Sequence, residues 1–185
     1  LAGVSLIDTS TNYADGASEE LVGAVVSRIT QEHNIARHSL TIVTKAGYLQ
    51  GTNYTLARER EQMGMPFPEV TKYGKGLWHC IHPEFLDDQI TRSLERLRTD
   101  YIDVLLLHNP EYFLGWAQKK TCRPGEAHAE FYRRVEQAFR HLEKEVQRGR
   151  IRSYGISSNT FPRPSSDPEF CSLETVWQIA ESISP

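Results

Sequence analysis

Residues 83–110, PEFLDDQITRSLERLRTDYIDVLLLHNP, decide the fold class. Leu86, Ile90, Leu94 and Leu97 recur at steps of three and four, the period of a helix with one apolar face. Pro83 stands where a first helical turn tolerates proline. Residues 101–107, YIDVLLL, then form a short apolar run that His108, Asn109 and Pro110 close. A helix feeding straight into so apolar a strand is half of a β–α–β crossover, and such strands belong to parallel sheets covered on both faces.

The alternation continues on either side. Upstream, residues 4–8 and 40–45 read as buried strands, the second broken by Gly47. Between them a helix is expected from about Ser18, with Ser18 as N-cap, Glu19 and Glu20 at its positive end, and Leu21, Val25 and Ile29 inward. Downstream, Phe131, Val135, Ala138, Leu142 and Val146 mark a long helix closed by Gly149. Residues 151–157 form a fourth strand with Gly155 inside it, and residues 172–183 a last helix with Leu173, Val176, Ile179 and Ile183 inward. Two stretches break the rhythm. Residues 48–81, with Gly51, Gly64, Pro66, Pro68, Gly74 and Gly76, read as a long structured loop with room for one short helix. A second irregular region runs from Asn109 to about Pro124. The whole predicts an α/β protein with a parallel sheet; the alternation alone leaves both an open doubly wound sheet and a barrel. Neither GxGxxG nor GxxxxGK[ST] occurs, which removes support for the two common phosphate-loop folds.

Composition limits the function classes. The 185 residues carry a net charge of −3 and are 39% hydrophobic, which suits one globular domain, residues 1–185, or a piece of a larger one, and argues against a nucleic-acid or polybasic membrane partner. Purely apolar runs are far too short to span a bilayer, and no secretory leader is expected before the first strand. Cys80, Cys122 and Cys171 form no CxxC pair, so a reducing, cytoplasmic setting is expected. The oligomeric state is left open.

Polar groups of different kinds stand at the C-terminal ends of the strands: Asp8, Lys45, His108, and then Ser157, Ser158 and Asn159. In a parallel sheet these ends share one face, where barrels carry their chemistry. Asp8 and Lys45, on neighbouring strands, could form a buried ion pair. Tyr13 lies five residues past Asp8, and an ammonium near its phenol would make it a proton donor to a developing alkoxide. His108 could orient a carbonyl. Plainer readings stand beside these: Tyr13 as a packing aromatic, His108 as a buried histidine satisfied by backbone. Trp78, Trp116 and Tyr112 could line an apolar substrate pocket or pack on its rim. The run His79-Cys80-Ile81-His82 has no partner cluster, so no metal is expected.

At these residues the chain resembles the aldo-keto reductases. The segments IDTSTNY (7–13) and SEEL (18–21), IVTKAG (42–47), SLERLRTDYID (93–103) with LLHNP (106–110), and GRIRSYGISSN (149–159) match the family's motifs in order. The resemblance implies a partial (β/α)8 barrel holding about strands two to five of eight, with 48–81 as an insertion. It implies that Leu6, Ile42, Val43, Leu105, Leu107 and Ile156 line the inner face of the sheet. It also implies reduction of an aldehyde or ketone to an alcohol, or the reverse, with NADPH/NADP or NAD. Asp8, Tyr13, Lys45 and His108 would be catalytic. Asp8, Ser157, Ser158 and Asn159 would meet the cofactor, and the partner would be a small carbonyl or alcohol. A regulatory or scaffold subunit built on the same barrel, or an inactive fragment, is the rival reading.

Overall fold

The computed structural model describes residues 3–120 and 123–184; Cys122 lies outside them. Along the chain run β1 (Leu6–Asp8), α1 (Ala17–His33), β2 (Thr41–Ala46), β3 (Tyr48–Leu49), α2 (Gly51–Gln62), β4 (Thr71–Gly74) and β5 (Leu77–His79). They are followed by α3 (Pro83–Leu97), β6 (Ile102–His108), α4 (Tyr112–Lys119), α5 (Pro124–Gln147), β7 (Ile151–Ser157) and α6 (Leu173–Ile183). β1, β2, β6 and β7 pair in that order, every pair parallel. Helices cross over between them, which is the architecture of consecutive units of a (β/α)8 barrel.

Cross-strand partners in a parallel sheet point to the same face, and faces alternate with period two. Asp8 is level with Val43, Lys45 with Leu106, and His108 with Ser157. The steps from Val43 to Lys45 and from Leu106 to His108 are both even, so Asp8, Lys45, His108 and Ser157 share one face. The opposite face meets the helices. There Ile42, Leu105 and Leu107 are fully buried together with Leu86, Ile90 and Phe131. The expectation for the inner face is therefore corrected: Leu6 and Val43 do share the site face, but Ile42, Leu105, Leu107 and Ile156 lie on the helix-covered one.

Several local expectations also change. α1 begins one residue before Ser18, because a turn with left-handed backbone at Ala14 (φ 48°) and Asp15 (φ 55°) swings the chain in early. The Ser18 hydroxyl instead pairs with that of Thr9 at 2.8 Å. Leu21 and Val25 are exposed, and α1 buries Glu19, Gly23 and Val26. Gly23 lets α1 lie directly on the end of α3: a Cβ there would be 2.3 Å from the Arg96 carbonyl oxygen. The Glu19 carboxylate is drawn inside by the Thr44 hydroxyl (2.5 Å) and the Arg96 guanidinium (2.6 Å). Leu173 of α6 is likewise exposed, and Val176 is the buried residue of that helix.

Residues 48–81 are not a loop. β3, β5 and β4 form a separate antiparallel sheet in that order, with α2 packed beside it. The insertion has its own apolar cluster of Leu49, Ala57, Phe67 and Cys80, which reaches the main helices through Phe85. The second irregular region contains α4.

Candidate active site

Lys45 sits near the end of β2 and is 6% exposed. Its ammonium donates to Asp8 Oδ1 at 2.5 Å and to the Thr9 carbonyl at 2.9 Å. The pair is buried on the lysine side only, since the Asp8 side chain is 49% exposed. β1 stands at the border of the described sheet, so its terminal carboxylate reaches solvent. Tyr13 opens the turn that follows β1, and the Lys45 ammonium lies 5.1 Å from the centre of its ring. The Tyr13 ring meets that of His108 edge to face at 6.0 Å. The strand-end residues Asp8, Lys45 and His108 and the turn residue Tyr13 are thus brought together.

The turn holding Tyr13 is tied down from the insertion. Asp15 accepts from the backbone N–H of Thr52 (3.0 Å) and from its hydroxyl (2.9 Å), which caps the first turn of α2. Left-handed backbone at a non-glycine residue persists where its surroundings hold it in place, and this pair of hydrogen bonds does so.

His108 is 8% exposed and enclosed by aromatic rings. Tyr48 packs on it edge to face at 4.7 Å, and the Tyr48 hydroxyl accepts from the Asn109 amide at 2.8 Å. His79 Nε2 donates to the His108 carbonyl at 2.7 Å. Gly47 permits that contact, because a Cβ there would be 2.6 Å from His79 Nε2 and 2.8 Å from the His108 carbonyl. Burial, with the Lys45 charge adding to it, lowers the His108 pKa from 6.5 to about 4. Burial lowers that of His79 to about 4 as well. Both imidazoles are therefore neutral near pH 7.

At the end of β7 the three candidates part. Ser157 is level with His108 and on the same face. Ser158 turns its hydroxyl to Thr160, accepting from the Thr160 N–H at 3.1 Å. Asn159 is exposed, and its backbone N–H donates to buried Glu111 at 2.8 Å. The Ser157 hydroxyl and the Asn159 amide together offer donors and acceptors of the kind a carboxamide needs.

The other candidates all have packing contacts, and Tyr112 also lines a cavity with Glu111 and Asn159. His79, Cys80 and His82 do not converge: His79 supports His108, Cys80 is buried with its thiol pushed up to about 12, and His82 caps α3. Burial likewise pushes Cys171 to about 12. Trp78 lies on β5 beside Tyr54, and Trp116 on α4 beside Phe113. Tyr112 stacks on His79. Asp87, His141 and Glu145 come together elsewhere, but Arg148 and Arg150 already pair with these carboxylates.

Sequence reasoning missed the supports of the site, namely Ser10, Asn12, Tyr48, Gln50 and His79. None stands at the end of a strand of the main sheet. Their partners lie up to 98 residues away along the chain, so spacing gave no signal for them.

Comparison with known proteins places the sequence in a family and the fold among solved structures. The model of the aldo/keto reductase family matches residues 1–164. An aldo-keto reductase of Alternaria alternata is 33% identical over 108 residues, covering 57% of this chain and 28% of that protein. The NADH-specific methylglyoxal reductase of Escherichia coli is 29% identical over 106 residues, covering 57% and 27%. The aryl-alcohol dehydrogenase [NADP(+)] of Phanerodontia chrysosporium is 25% identical over 187 residues, covering 96% and 39%. The chain thus spans well under half the length of these relatives. Among solved structures, a glycerol dehydrogenase of Gluconobacter oxydans shares the fold with a TM-score of 0.57 and 22% identity, over 99% of this chain and 39% of that one. An aldo-keto reductase of Bacillus halodurans does so with a TM-score of 0.53 and 22% identity, over 85% and 38%.

Proposed function

The chain belongs to the aldo/keto reductase family, and from that premise we propose that the whole protein reduces an aldehyde or ketone to an alcohol, or runs the reverse, with a nicotinamide cofactor. One observation carries the reading: Asp8, Tyr13, Lys45 and His108 converge on one face of the sheet, with Lys45 pinned between Asp8 and the Thr9 carbonyl. The cofactor, when bound, supplies the hydride. Tyr13 donates its phenolic proton to the carbonyl oxygen. The Lys45 ammonium beside the ring steadies the negative charge left on the phenol oxygen, and Asp8 fixes that ammonium in place. Neutral His108 holds the carbonyl oxygen by a hydrogen bond. Ser157 and Asn159 hold the carboxamide. Relatives named for NADH and for NADP(+) both occur, and NADPH is the cofactor proposed here, with NADH as the alternative.

The substrate is a small carbonyl compound or alcohol. No helix among the described residues is long and apolar enough to cross a membrane. The buried free thiols of Cys80 and Cys171 fit a reducing, cytoplasmic setting.

The test is loss of reduced-nicotinamide absorbance by the full-length protein with a panel of aldehydes and ketones. Tyr13→Phe should lower the rate at least about 10²-fold and leave cofactor affinity nearly unchanged. No turnover of any carbonyl, or full turnover by Tyr13→Phe, would overturn the reading.

A further inference from the structure

The turn that leaves β7, residues 157–160, is tied twice to the segment that follows β6. The Asn109 N–H donates to the Ser157 carbonyl at 2.7 Å, which continues the parallel ladder past His108. Two residues on, the Asn159 N–H donates to Glu111 Oε1 at 2.8 Å. The first tie is ordinary sheet pairing. The second is a side chain crossing from the start of α4 to the backbone at another strand's end. The residue it holds, Asn159, is one of the two assigned above to a carboxamide.

Glu111 is an expensive residue in this place. It stands at the N-cap of α4, yet its side chain makes no capping bond to that helix. It is 4% exposed. Its second oxygen, Oε2, is buried with no hydrogen-bond partner among the described residues. The Ser158 hydroxyl is near enough to favour the charged form, but the hydrogen bonds it makes are with Thr160. Burial pushes the Glu111 carboxyl up from 4.5, against the opposing pull of its own N–H and that of Asn159. A buried carboxylate satisfied at one oxygen weakens a fold relative to an apolar side chain of similar size, so packing gives no reason for one here. Asn159, in contrast, is exposed, and water can take its N–H if Glu111 is cut back. A cavity of about 220 Å³, lined by Tyr112, Asn159, Thr160 and Arg163 among others, borders the turn and gives it room to move. The bond from Asn159 to Glu111 therefore does little to keep the protein folded and much to fix where residues 157–160 lie.

We propose that Glu111 is a positioning residue for the cofactor, holding the turn 157–160 through the Asn159 N–H so that Ser157 and Asn159 meet the nicotinamide carboxamide. The carboxamide itself rests on the function proposed above. Glu111 acts on it at one remove, through the backbone of Asn159, and its effect is confined to the nicotinamide end of the cofactor.

The experiment is calorimetric titration of the full-length protein with whichever of NADPH and NADH it binds, and with the matching ADP-ribose, 2′-phosphorylated or plain, which lacks the nicotinamide. Glu111→Leu should lose about tenfold in affinity for the dinucleotide and keep its affinity for the ADP-ribose. Its melting temperature should be no lower than that of wild type. Glu111→Gln keeps an acceptor oxygen for the Asn159 N–H without the charge, and should bind the dinucleotide within about threefold of wild type. Wild-type dinucleotide affinity in Glu111→Leu would overturn the proposal. So would equal losses for both probes with a lower melting temperature, which would make Glu111 a structural tie. A Glu111→Gln as weak as Glu111→Leu would overturn it too, since the accepting oxygen would not be the cause. A wild type that binds neither dinucleotide would overturn the nicotinamide reading itself and this proposal with it, whereas the other failures leave that reading standing.

Discussion

Lys45 shows how exposure sets the scale of an effect. Removing one partner of a fully buried ion pair costs about 3–5 kcal/mol. Asp8 is 49% exposed, however, so water can take over its charge when the ammonium goes. Lys45→Met should therefore cost only about 1–2 kcal/mol of stability, part of it from the deserted Thr9 carbonyl, while activity is lost far more completely. Denaturant melts alongside turnover would separate the two losses. Glu19 is the opposite case: it is 0% exposed and paired with Arg96. Arg96→Met strands a buried carboxylate beside the Thr44 hydroxyl alone, and a loss of about 3–5 kcal/mol is expected in the same melts. A loss below about 1 kcal/mol would mean that Glu19 relaxes to solvent.

Elements were legible in the sequence wherever an apolar period marked them. The stripe Leu86, Ile90, Leu94 and Leu97 gave α3, and the run into His108 gave β6. Those two, with the strand ends bearing Asp8, Lys45 and Ser157, were enough to bring the candidate groups to one face. α2 was not legible. It buries only Asn53 and Ala57, and its N-terminal cap comes from Asp15, far away in sequence. α1 was found, and Ile29 packs against the core as expected, but Leu21 and Val25 are exposed and Val22 and Val26 take their place, on the face where Gly23 lets α1 approach α3. Gly23→Ala raises intrinsic helix propensity by about 1 kcal/mol, yet its methyl would press on backbone oxygen of α3. The clash should win, with a net loss of about 1–3 kcal/mol and a lower melting temperature. An alanine variant as stable as wild type would show that α1 can slide.

For the molecule as a whole, the two buried histidines predict how stability follows pH. Each has a folded pKa near 4 against about 6.5 unfolded, so between these values the unfolded chain binds more protons. Stability should be complete above about pH 6.5 and decline as pH falls toward 4, with His79 alone accounting for about 3 kcal/mol. His79→Gln should reduce the proton uptake on unfolding in that window by about one, as measured by melts across pH; an unchanged slope would mean that His79 is already reached by water in the folded state. The insertion, with an apolar cluster of its own, has a different kind of consequence. A segment that keeps its own core can be exchanged between relatives by recombination, with crossovers near Gly47 and His82, and the mouth of the site would be inherited as a single cassette.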